Sequence, residues 1–297
     1  MKPKIFVDGE HGTTGLQIHE RLKGRDGIEM LHIAHEDRRD ASVREKRLRE
    51  ADFAILCLPD DASREAAAMV EGVGTRLIDA STAHRTHDDW IFGFAELTAG
   101  HSDKIAGATR VSNPGCYSTG AIALIRPLTE AGVLPRNHPV AINAVSGFSG
   151  GGKSLIAEME NDGAPAHFLY ATSLTHKHVP EIVRHGLLER KPIFTPSVGN
   201  FAQGMAVQIP LHLEPLGLTR ARLHEALSDH YAGTAHVMVA SLDPLPTRID
   251  PTMLNGTNDM VLHVLGNDKR ANLVAILDNL GKGASGACVQ ALDLMMQ

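Results

Sequence analysis

The sequence has few cysteines, few aromatic residues and no long hydrophobic run. Its three cysteines among 297 residues are widely spaced and odd in number, which argues against a disulfide framework and favours a reducing compartment. No apolar stretch approaches the length of a membrane span. The first residues run directly into a predicted strand, and their apolar run is too short for a secretory signal. These absences predict a cytoplasmic protein.

The charge balance disfavours several classes of partner. The formal net charge is −6, so neither a nucleic acid nor an acidic membrane surface is expected as a partner. Hydrophobic residues make up 43% and charged residues 22%, which is ordinary for a globular protein, and the length suffices for two domains. The chain has 17 histidines, but no histidine or cysteine cluster has a zinc-type spacing. No metal site is therefore expected.

Short apolar runs alternate with helix-like runs in the first third of the chain. Turn-bounded apolar runs predict strands at residues 4–8, 28–34, 53–58, 76–79 and 104–111. Helices are predicted after the first strand and at residues 42–50 and 62–70. This alternation is typical of an α/β fold with a doubly wound parallel sheet.

A glycine-rich turn follows the first strand and opens a helix. Its sequence, G-E-H-G-T-T-G at residues 9–15, would let the backbone approach a pyrophosphate, which the N–H groups of the helix N-terminus would bind. The strand–turn–helix context indicates a dinucleotide site, and glycines that serve only the turn are the alternative. The predicted cofactor contacts in this turn are Gly9, Gly12, Thr13, Thr14 and Gly15.

The loop after the second strand bears on the choice between NAD and NADP. An acidic residue there would bind the ribose 2′-hydroxyl of NAD, whereas a cation would accept the 2′-phosphate of NADP. Residues 35–39 read H-E-D-R-R and contain both types. Arg38 and Arg39 favour NADP(H), and a solvated charged loop is the alternative.

Polar residues follow the fourth strand, at the sheet edge where a cofactor would bind. The stretch D-A-S-T-A-H-R occupies residues 79–85, and Ser81 is a predicted cofactor contact. Arg85 is suited to a bidentate grip on phosphate or carboxylate, and a surface arginine is the alternative.

Cys116 is the predicted nucleophile. It follows a Pro-Gly turn in the stretch S-N-P-G-C-Y-S-T-G at residues 112–120, directly before a helix-like run. Its sulfur should therefore lie near the unpaired N–H groups of a first helical turn, where the helix dipole favours a thiolate. Such a thiolate can attack an acyl carbon, and a small residue packed beneath the turn is the alternative.

The pattern changes after Cys116. Longer strands are predicted at residues 140–145, 205–213, 259–266 and 271–277, which indicates a second, α+β domain with a largely antiparallel sheet. Pro127 is expected to interrupt the helix that follows the cysteine.

Two histidines precede a helix that is predicted to begin at Pro180. Histidine suits proton transfer near neutral pH, and Val179 should be extended before the proline. His178 is preferred as the acid–base, with His176 as a substrate or cofactor contact.

These motifs together resemble those of the N-acetyl-γ-glutamyl-phosphate reductases, in their shorter form. The matching stretches span nearly the whole chain, at residues 9–15, 79–85, 112–117, 176–181 and 279–286. The resemblance implies NADPH-dependent reduction of an acyl phosphate to its semialdehyde, through a cysteine thioester, in arginine biosynthesis. The alternatives are a related reductase such as aspartate-semialdehyde dehydrogenase, a cysteine hydrolase and a non-catalytic NADP-binding sensor.

The resemblance also implies a domain organisation. A Rossmann-type NADP-binding domain would occupy residues 1–115, and a catalytic and dimerisation α+β domain of the glyceraldehyde-3-phosphate dehydrogenase type would occupy residues 116–278. A terminal helix at residues 279–297 would pack back on the first domain. A homo-oligomer, either dimer or tetramer, is implied.

Further site residues follow from the resemblance. Arg85 would bind the substrate phosphate, Asn279 would contact the nicotinamide amide, and one of the two histidines would be the acid–base. The remaining predicted substrate contacts are Asn113, Ser149 and Glu181.

Overall fold

Residues 2–297 are described by a computed structural model, in which short strands and helices alternate first and longer strands follow. The strands are β1 (Lys4–Asp8), β2 (Glu29–Leu31), β3 (Phe53–Leu56), β4 (Arg76–Asp79), β5 (Ile91–Phe92), β6 (Arg110–Ser112), β7 (Ala141–Gly147), β8 (His167–Leu169), β9 (Ile193–Gly199), β10 (Met205–His212), β11 (Val237–Val239), β12 (Met260–Asn267) and β13 (Arg270–Leu277). The helices are α1 (Thr13–Leu22), α2 (Ala41–Glu50), α3 (Asp60–Met69), α4 (His101–Gly107), α5 (Cys116–Glu130), α6 (Gly152–Met159), α7 (Val179–His185), α8 (Arg220–His230) and α9 (Gly286–Met295).

The first sheet is parallel throughout and has the strand order β2-β1-β3-β4-β6-β5. Helices connect most of its successive strands, because parallel neighbours need a crossover connection, and a loop joins β4 to β5. The α/β, doubly wound fold predicted from the sequence is therefore confirmed.

Each face of the first sheet carries its own core. Successive strand residues point to opposite faces, so Ile5 and Val7 pack with α1, α4 and α9, while Phe6 packs with α2 and α3. The terminal helix α9 contributes Cys288 and Leu292 to the first of these cores. Strands buried on both faces explain the continuous apolar runs in the sequence.

The second sheet is mixed and has the order β11-β12-β13-β10-β7-β9-β8. Four of its six strand pairs are antiparallel, and the pairs β11–β12 and β7–β9 are parallel. Helix α5 packs on this sheet so closely that a Cβ on Gly120 would lie 2.8 Å from the Val207 side chain. The predicted α+β character of this part is confirmed.

The chain divides into two compact units. The first comprises the described residues through Ala95, together with Gly100–Pro114 and Ala284–Gln297. The second comprises Glu96–Ala99 and Gly115–Gly283. Across residues 2–297, none of the helices combines the length and apolar character needed to cross a membrane.

The predicted strand at residues 104–111 is wrong. His101–Gly107 forms the helix α4, and a strand occupies only Arg110–Ser112. The helix begins after Gly100, whose positive φ of 71° suits glycine, and it buries Ile105 in the apolar core on one face of the first sheet. Charged residues at 103 and 104 are compatible with a helix that buries one face, but not with a strand buried on both faces.

The expected interruption at Pro127 is also wrong, because α5 continues to Glu130. A proline lacks the N–H that would bond to the carbonyl four residues earlier, which is that of Ala123. The hydroxyl of Tyr231 donates to this carbonyl at 2.8 Å. Tyr231 is buried, so the hydroxyl replaces the missing helical bond where water has little access.

We expect Tyr231→Phe to destabilise the protein by about 1–3 kcal/mol, because it leaves the buried Ala123 carbonyl unsatisfied. In a Pro127→Ala background the new N–H can bond to that carbonyl, so the same substitution should cost less than about 1 kcal/mol. Urea unfolding of the four proteins of this double-mutant cycle measures both costs. If Tyr231→Phe lowers the free energy of unfolding equally in both backgrounds, the Tyr231 hydroxyl does not take the place of the missing N–H.

Candidate active site

Cys116 is the first residue of α5, and the peptide before it is held tightly. Gly115 caps the helix in an extended conformation. Its carbonyl accepts hydrogen bonds from the hydroxyls of Ser118 and Thr119 at 2.7 and 2.9 Å, and from the Thr119 N–H at 2.9 Å. The half-buried Cys116 side chain therefore leaves the backbone at a fixed place in the first turn.

The Gly115 N–H, which belongs to the preceding Pro114–Gly115 peptide, is held by Glu181. The Gly115 N–H donates to the Glu181 carboxylate at 3.3 Å, and Glu181 is only 1% exposed. Glu181 lies in the first turn of α7, where an acidic side chain is favoured by the helix dipole. The structure thus brings the predicted residue Glu181 to the cysteine turn.

Gly283 closes the space behind Cys116. A Cβ on Gly283 would lie 2.8 Å from the Cys116 Cβ, a distance that side chains do not tolerate. Residues 282–285 read K-G-A-S, and a glycine is required at 283 because the backbone there lies so close to Cys116.

The other two cysteines are held as thiols. Burial raises the pKa of Cys57 to about 12, and nearby Asp79 and Asp8 add to the effect. Burial also raises the pKa of Cys288 well above its usual value. Cys116, in contrast, is half-buried and is the first residue of α5.

His176 has both ring nitrogens engaged. Its Nδ1 lies 3.1 Å from the backbone N–H of His178 and accepts from it, so the ring proton lies on Nε2. Nε2 lies 3.3 Å from the Tyr170 hydroxyl. Burial raises the pKa of Tyr170, so the phenol stays protonated and accepts this bond. The protein thus holds His176 in one tautomer.

His178 caps α7 and is 5% exposed. Its ring centroid lies 4.6 Å from that of His176 and 5.9 Å from that of Tyr117. The predicted helix start at Pro180 is wrong by one residue, because Val179 is already helical and not extended. The Val179 N–H bonds back to the His176 carbonyl at 3.0 Å, and this turn overrides the preference of a residue before proline.

Asn279 and Ser149 are joined by a hydrogen bond. The Asn279 amide donates to the Ser149 hydroxyl at 3.0 Å and accepts from the Gly204 N–H at 2.8 Å. Asn279 is 1% exposed. Its side chain therefore connects the end of β13 to two loops of the second unit.

Lys282 and Glu96 form a buried ion pair that the sequence analysis missed. The Lys282 Nζ lies 2.7 Å from a Glu96 carboxylate oxygen, with side-chain exposures of 1% and 6%. Burial lowers the pKa of Lys282, and the neighbouring Glu96 acts in the opposite direction. The pair fixes the residue immediately before Gly283, and so supports the backbone that packs on Cys116.

In the first unit, the predicted glycine turn adopts a conformation that requires glycine at two positions. Gly9 has φ +90°, and a Cβ there would lie 2.4 Å from the Cys57 carbonyl. A Cβ on Gly15 would lie 2.3 Å from the Gly9 carbonyl. A Cβ on Gly12 would meet nothing nearer than 3.4 Å. Gly12 is the N-cap of α1 and has no side chain, so no side chain of this residue covers the N–H groups at the start of the helix.

A cavity of about 240 Å³ lies beside this turn. Gly9, Gly12, Arg38 and Arg39 are among the residues that line it. The N–H groups of Thr13 and Thr14 begin α1 next to the same turn, where a phosphate is favoured. An open helix cap with two arginines on the same cavity fits a dinucleotide that carries an additional phosphate.

Arg44, which the sequence analysis also missed, neutralises the end of β1. Its Nε and Nη2 bond to both oxygens of Asp8 at 2.9 to 3.2 Å, and both residues are buried. The pair removes a carboxylate charge that would otherwise repel phosphates beside the glycine turn.

Ser81 belongs to a buried network around Asp79, at the end of β4. The Asp79 carboxylate accepts from the hydroxyls of Ser63 and Ser81 at 3.0 and 2.7 Å, and from the Ser81 N–H at 2.9 Å. His84 Nδ1 lies 2.6 Å from the same carboxylate, and its ring stacks on Trp90 at 4.0 Å. This network fixes the loop that leads to residue 85.

Arg85 is 8% exposed and is oriented by backbone carbonyls. Its Nε donates to the Asn113 carbonyl at 2.9 Å, and its Nη2 donates to the Ala80 carbonyl at 3.1 Å. The Asn113 side chain donates to the Ala284 carbonyl at 3.0 Å, while its Oδ1 is buried without a hydrogen-bond partner in the described part of the chain. Asn113 therefore lies on the loop that precedes Cys116, and Arg85, which follows β4, is hydrogen-bonded to the backbone of that loop.

The chain matches two protein-family descriptions. "Semialdehyde dehydrogenase, NAD binding domain" matches residues 4–105, and "Semialdehyde dehydrogenase, dimerisation domain" matches residues 116–279. The chain is 59% identical to the N-acetyl-gamma-glutamyl-phosphate reductase of Rhizobium meliloti (strain 1021), covering 100% of this chain and 99% of that protein. It is 56% identical to the protein of the same name from Brucella anthropi, with the same coverage.

Solved structures share the fold. Aspartate semialdehyde dehydrogenase II from Vibrio cholerae superposes with a TM-score of 0.73 at 16% identity, covering 100% of this chain and 99% of that one. Aspartate semialdehyde dehydrogenase with NADP from Candida albicans has a TM-score of 0.68 at 15% identity, with the same coverage.

We expect Lys282→Met to destabilise the protein by about 3–5 kcal/mol, because it leaves the buried Glu96 carboxylate without its ammonium partner. Adding Glu96→Leu should recover most of this loss, since no buried charge then remains in the pair. Urea unfolding measures both changes. Lys23→Met is the control, because Lys23 pairs with Glu20 on the surface and should cost less than about 0.5 kcal/mol. A small effect of Lys282→Met would show that the pair does not hold this region.

Proposed function

The chain belongs to the semialdehyde dehydrogenase family, and from this premise we propose that it is an N-acetyl-γ-glutamyl-phosphate reductase. The reaction is the NADPH-dependent reduction of N-acetyl-glutamyl 5-phosphate to N-acetyl-glutamate 5-semialdehyde, with release of phosphate, in arginine biosynthesis. The observation that carries this proposal is the position of Cys116 in the first turn of the buried helix α5, where hydrogen bonds hold both the N–H and the carbonyl of the preceding Gly115.

Cys116 is the nucleophile in this proposal. Its thiolate attacks the acyl carbon, the carbon–oxygen bond to phosphate breaks, and a thioester forms as phosphate leaves. The first-turn N–H groups of α5 favour both the thiolate and the oxyanion that develops during attack. NADPH, when bound, supplies the hydride that reduces the acyl group to an aldehyde.

His178 is proposed as the acid–base and His176 as the residue that positions it. The support for this choice is that the protein uses both nitrogens of His176, through the His178 N–H and the Tyr170 hydroxyl. The proton that the aldehyde oxygen gains or loses would pass through the His178 ring.

Substrate contacts are proposed for Arg85, Asn113, Ser149 and Glu181. Arg85 would bind the phosphate that leaves, since two carbonyls orient its guanidinium and such a fork suits phosphate. The unsatisfied Asn113 Oδ1 supports an interaction with a donor on the substrate, because buried polar atoms usually have a partner. Glu181 would keep the cysteine turn in place as the substrate binds.

The cofactor contacts are proposed for the glycine turn and the two arginines of the cavity. Gly9, Gly12, Gly15, Thr13 and Thr14 would hold the pyrophosphate through the backbone. Arg38 and Arg39 would bind the 2′-phosphate. In addition, Ser81 is proposed beside the cofactor and Asn279 at the nicotinamide amide, as the sequence resemblance implies.

Aspartate-semialdehyde dehydrogenase activity is the second candidate, because the solved neighbours of that name share the fold. Their identity of 14–16% supports the fold alone, whereas the reductases match at 55–59% over the whole chain. We therefore favour the N-acetyl-glutamyl substrate. A cytoplasmic homo-oligomer, either dimer or tetramer, completes the proposal, and the match to a dimerisation domain supports the oligomer.

The reverse reaction tests the function directly. N-acetyl-glutamate 5-semialdehyde, NADP and phosphate together should yield NADPH absorbance, whereas aspartate 4-semialdehyde should not. Cys116→Ser should lower the rate by several orders of magnitude, because a serine alkoxide forms poorly at neutral pH. Cys288→Ala serves as the control and should keep the rate, because Cys288 packs in the apolar core of the first unit. Preference for the aspartate substrate would favour the second candidate, and full activity of the Cys116 variant would exclude the thioester.

The pH dependence of the rate separates the two histidines. Histidine ordinarily titrates near a pKa of about 6.5, so loss of the acid–base should remove the limb of the profile near neutrality. We expect this limb to vanish in His178→Asn and to persist in His176→Asn at a lower rate. Its loss only in the His176 variant would reverse the assignment.

Cofactor selection tests the role of the two arginines. Replacing both Arg38 and Arg39 by alanine should raise the KM for NADPH about tenfold or more and leave that for NADH nearly unchanged, because only NADPH loses charge-assisted bonds. Arg49→Ala is the matched control, since Arg49 is an exposed arginine that pairs with Glu45 on α2. Equal weakening of both cofactors would show that the arginines do not read the 2′-phosphate.

A further inference from the structure

We propose that Glu10, His19 and His32 form a binding site for a divalent transition-metal ion of the zinc type. One donor atom of each side chain lies within 4.8 Å of those of the other two. Among the described residues 2–297, it is the only group of three or more cysteine, histidine or acidic side chains that meets this distance condition. The three residues belong to the first unit, whereas the cysteine of the proposed reaction belongs to the second.

The donor set suits zinc more than magnesium or calcium. Two imidazoles and one carboxylate are zinc ligands, whereas magnesium and calcium are bound through oxygen. Zinc lies about 2.0–2.2 Å from such ligands in a tetrahedral arrangement, which places two ligand atoms roughly 3.3 Å apart. Glu10 Oε2 and His32 Nδ1 already lie 3.4 Å apart. Side-chain rotations that shorten the remaining distances by up to about 1.5 Å would bring the third ligand to the same spacing.

The backbone under the three ligands is fixed by the fold. Glu10 follows Gly9 in the turn that the Gly12 N–H closes on the Gly9 carbonyl at 3.0 Å. His32 directly follows β2, which is paired in register with β1. His19 lies in α1, and its ring centroid is 5.5 Å from that of His32. A metal ion would therefore meet ligands from three elements of one packed unit.

The surface position leaves room for a fourth ligand. The His32 side chain is 54% exposed, so water can complete the coordination. The second oxygen of Glu10 lies 3.8 Å from His11 Nε2. The ligands come from a turn, a helix and the end of a strand, and for this reason their spacing matches no zinc motif in the sequence.

Metal binding should connect the turn, α1 and the end of β2. An ion that binds the folded protein but not the unfolded chain raises the unfolding temperature by mass action. The inference does not depend on the proposed reaction, because binding and unfolding are both measured without substrate or cofactor.

The test is a zinc titration of the full chain, freed of metal and competed against a chromophoric chelator. A Cys116→Ser background removes the proposed reactive thiolate, which is itself a zinc ligand. We expect one equivalent of zinc and a rise in the unfolding temperature. His19→Gln and His32→Gln should each weaken binding at least tenfold and abolish the temperature rise.

Two further variants make the result specific. His32→Cys supplies another zinc ligand at an exposed position and should retain binding, whereas Glu10→Gln should weaken it. His212→Gln removes an exposed histidine of β10 and should bind zinc as the parent does. Zinc binding that is equal in the parent, His19→Gln and His32→Gln would overturn the proposal, as would the absence of zinc binding by the parent protein.

Discussion

The hydrogen bonds made by the backbone of Gly115 are the constraint on which the candidate site depends. Its N–H is held by the buried carboxylate of Glu181, and its carbonyl is held by two hydroxyls of the first turn of α5. A cysteine one residue later can point in few directions, and Gly283 closes the space behind it. The proposed acyl transfer needs this placement, because a nucleophile that is free to move loses the advantage of orientation.

Buried charges perform a similar positioning role in both units. Asp8 with Arg44 and Lys282 with Glu96 are ion pairs, and Asp79 is surrounded by hydroxyls and an imidazole. Such pairs add little net stability over apolar residues, because desolvation offsets their attraction. Their value lies in fixing the loops at the ends of strands, where the proposed cofactor and substrate contacts lie. The loss of one partner is costly, and this cost specifies a single arrangement.

Much of the fold could be predicted from local patterns. The bounds of β1 and β4 agree with the predicted residues, because short apolar runs between turns identify strands that are buried on both faces. The helix α4 was mistaken for a strand, since its seven residues are too few to show a helical period. The continuation of α5 through Pro127 could not be predicted, because it depends on a tyrosine hydroxyl from α8's end, far along the chain.

The residues of the candidate site could likewise be predicted only in part. Cys116 and the glycine turn were found because each lies in a short motif whose turn residues have a local physical reason. Arg44, Tyr170 and the partner of Lys282 were missed, because their roles arise from contacts between distant residues. Lys282 does lie within a stretch that matches the reductases, so its motif was visible while its buried partner Glu96 was not.

The most direct measurement concerns the thioester on Cys116. The protein is mixed with N-acetyl-glutamate 5-semialdehyde and NADP in the absence of phosphate, and it is examined by mass spectrometry of the intact chain and of its peptides. We predict an N-acetyl-glutamyl adduct on the peptide that contains Cys116, formed as NADP is reduced and removed when phosphate is added. NADP reduction without an adduct, or an adduct on another residue, would contradict the proposed chemistry.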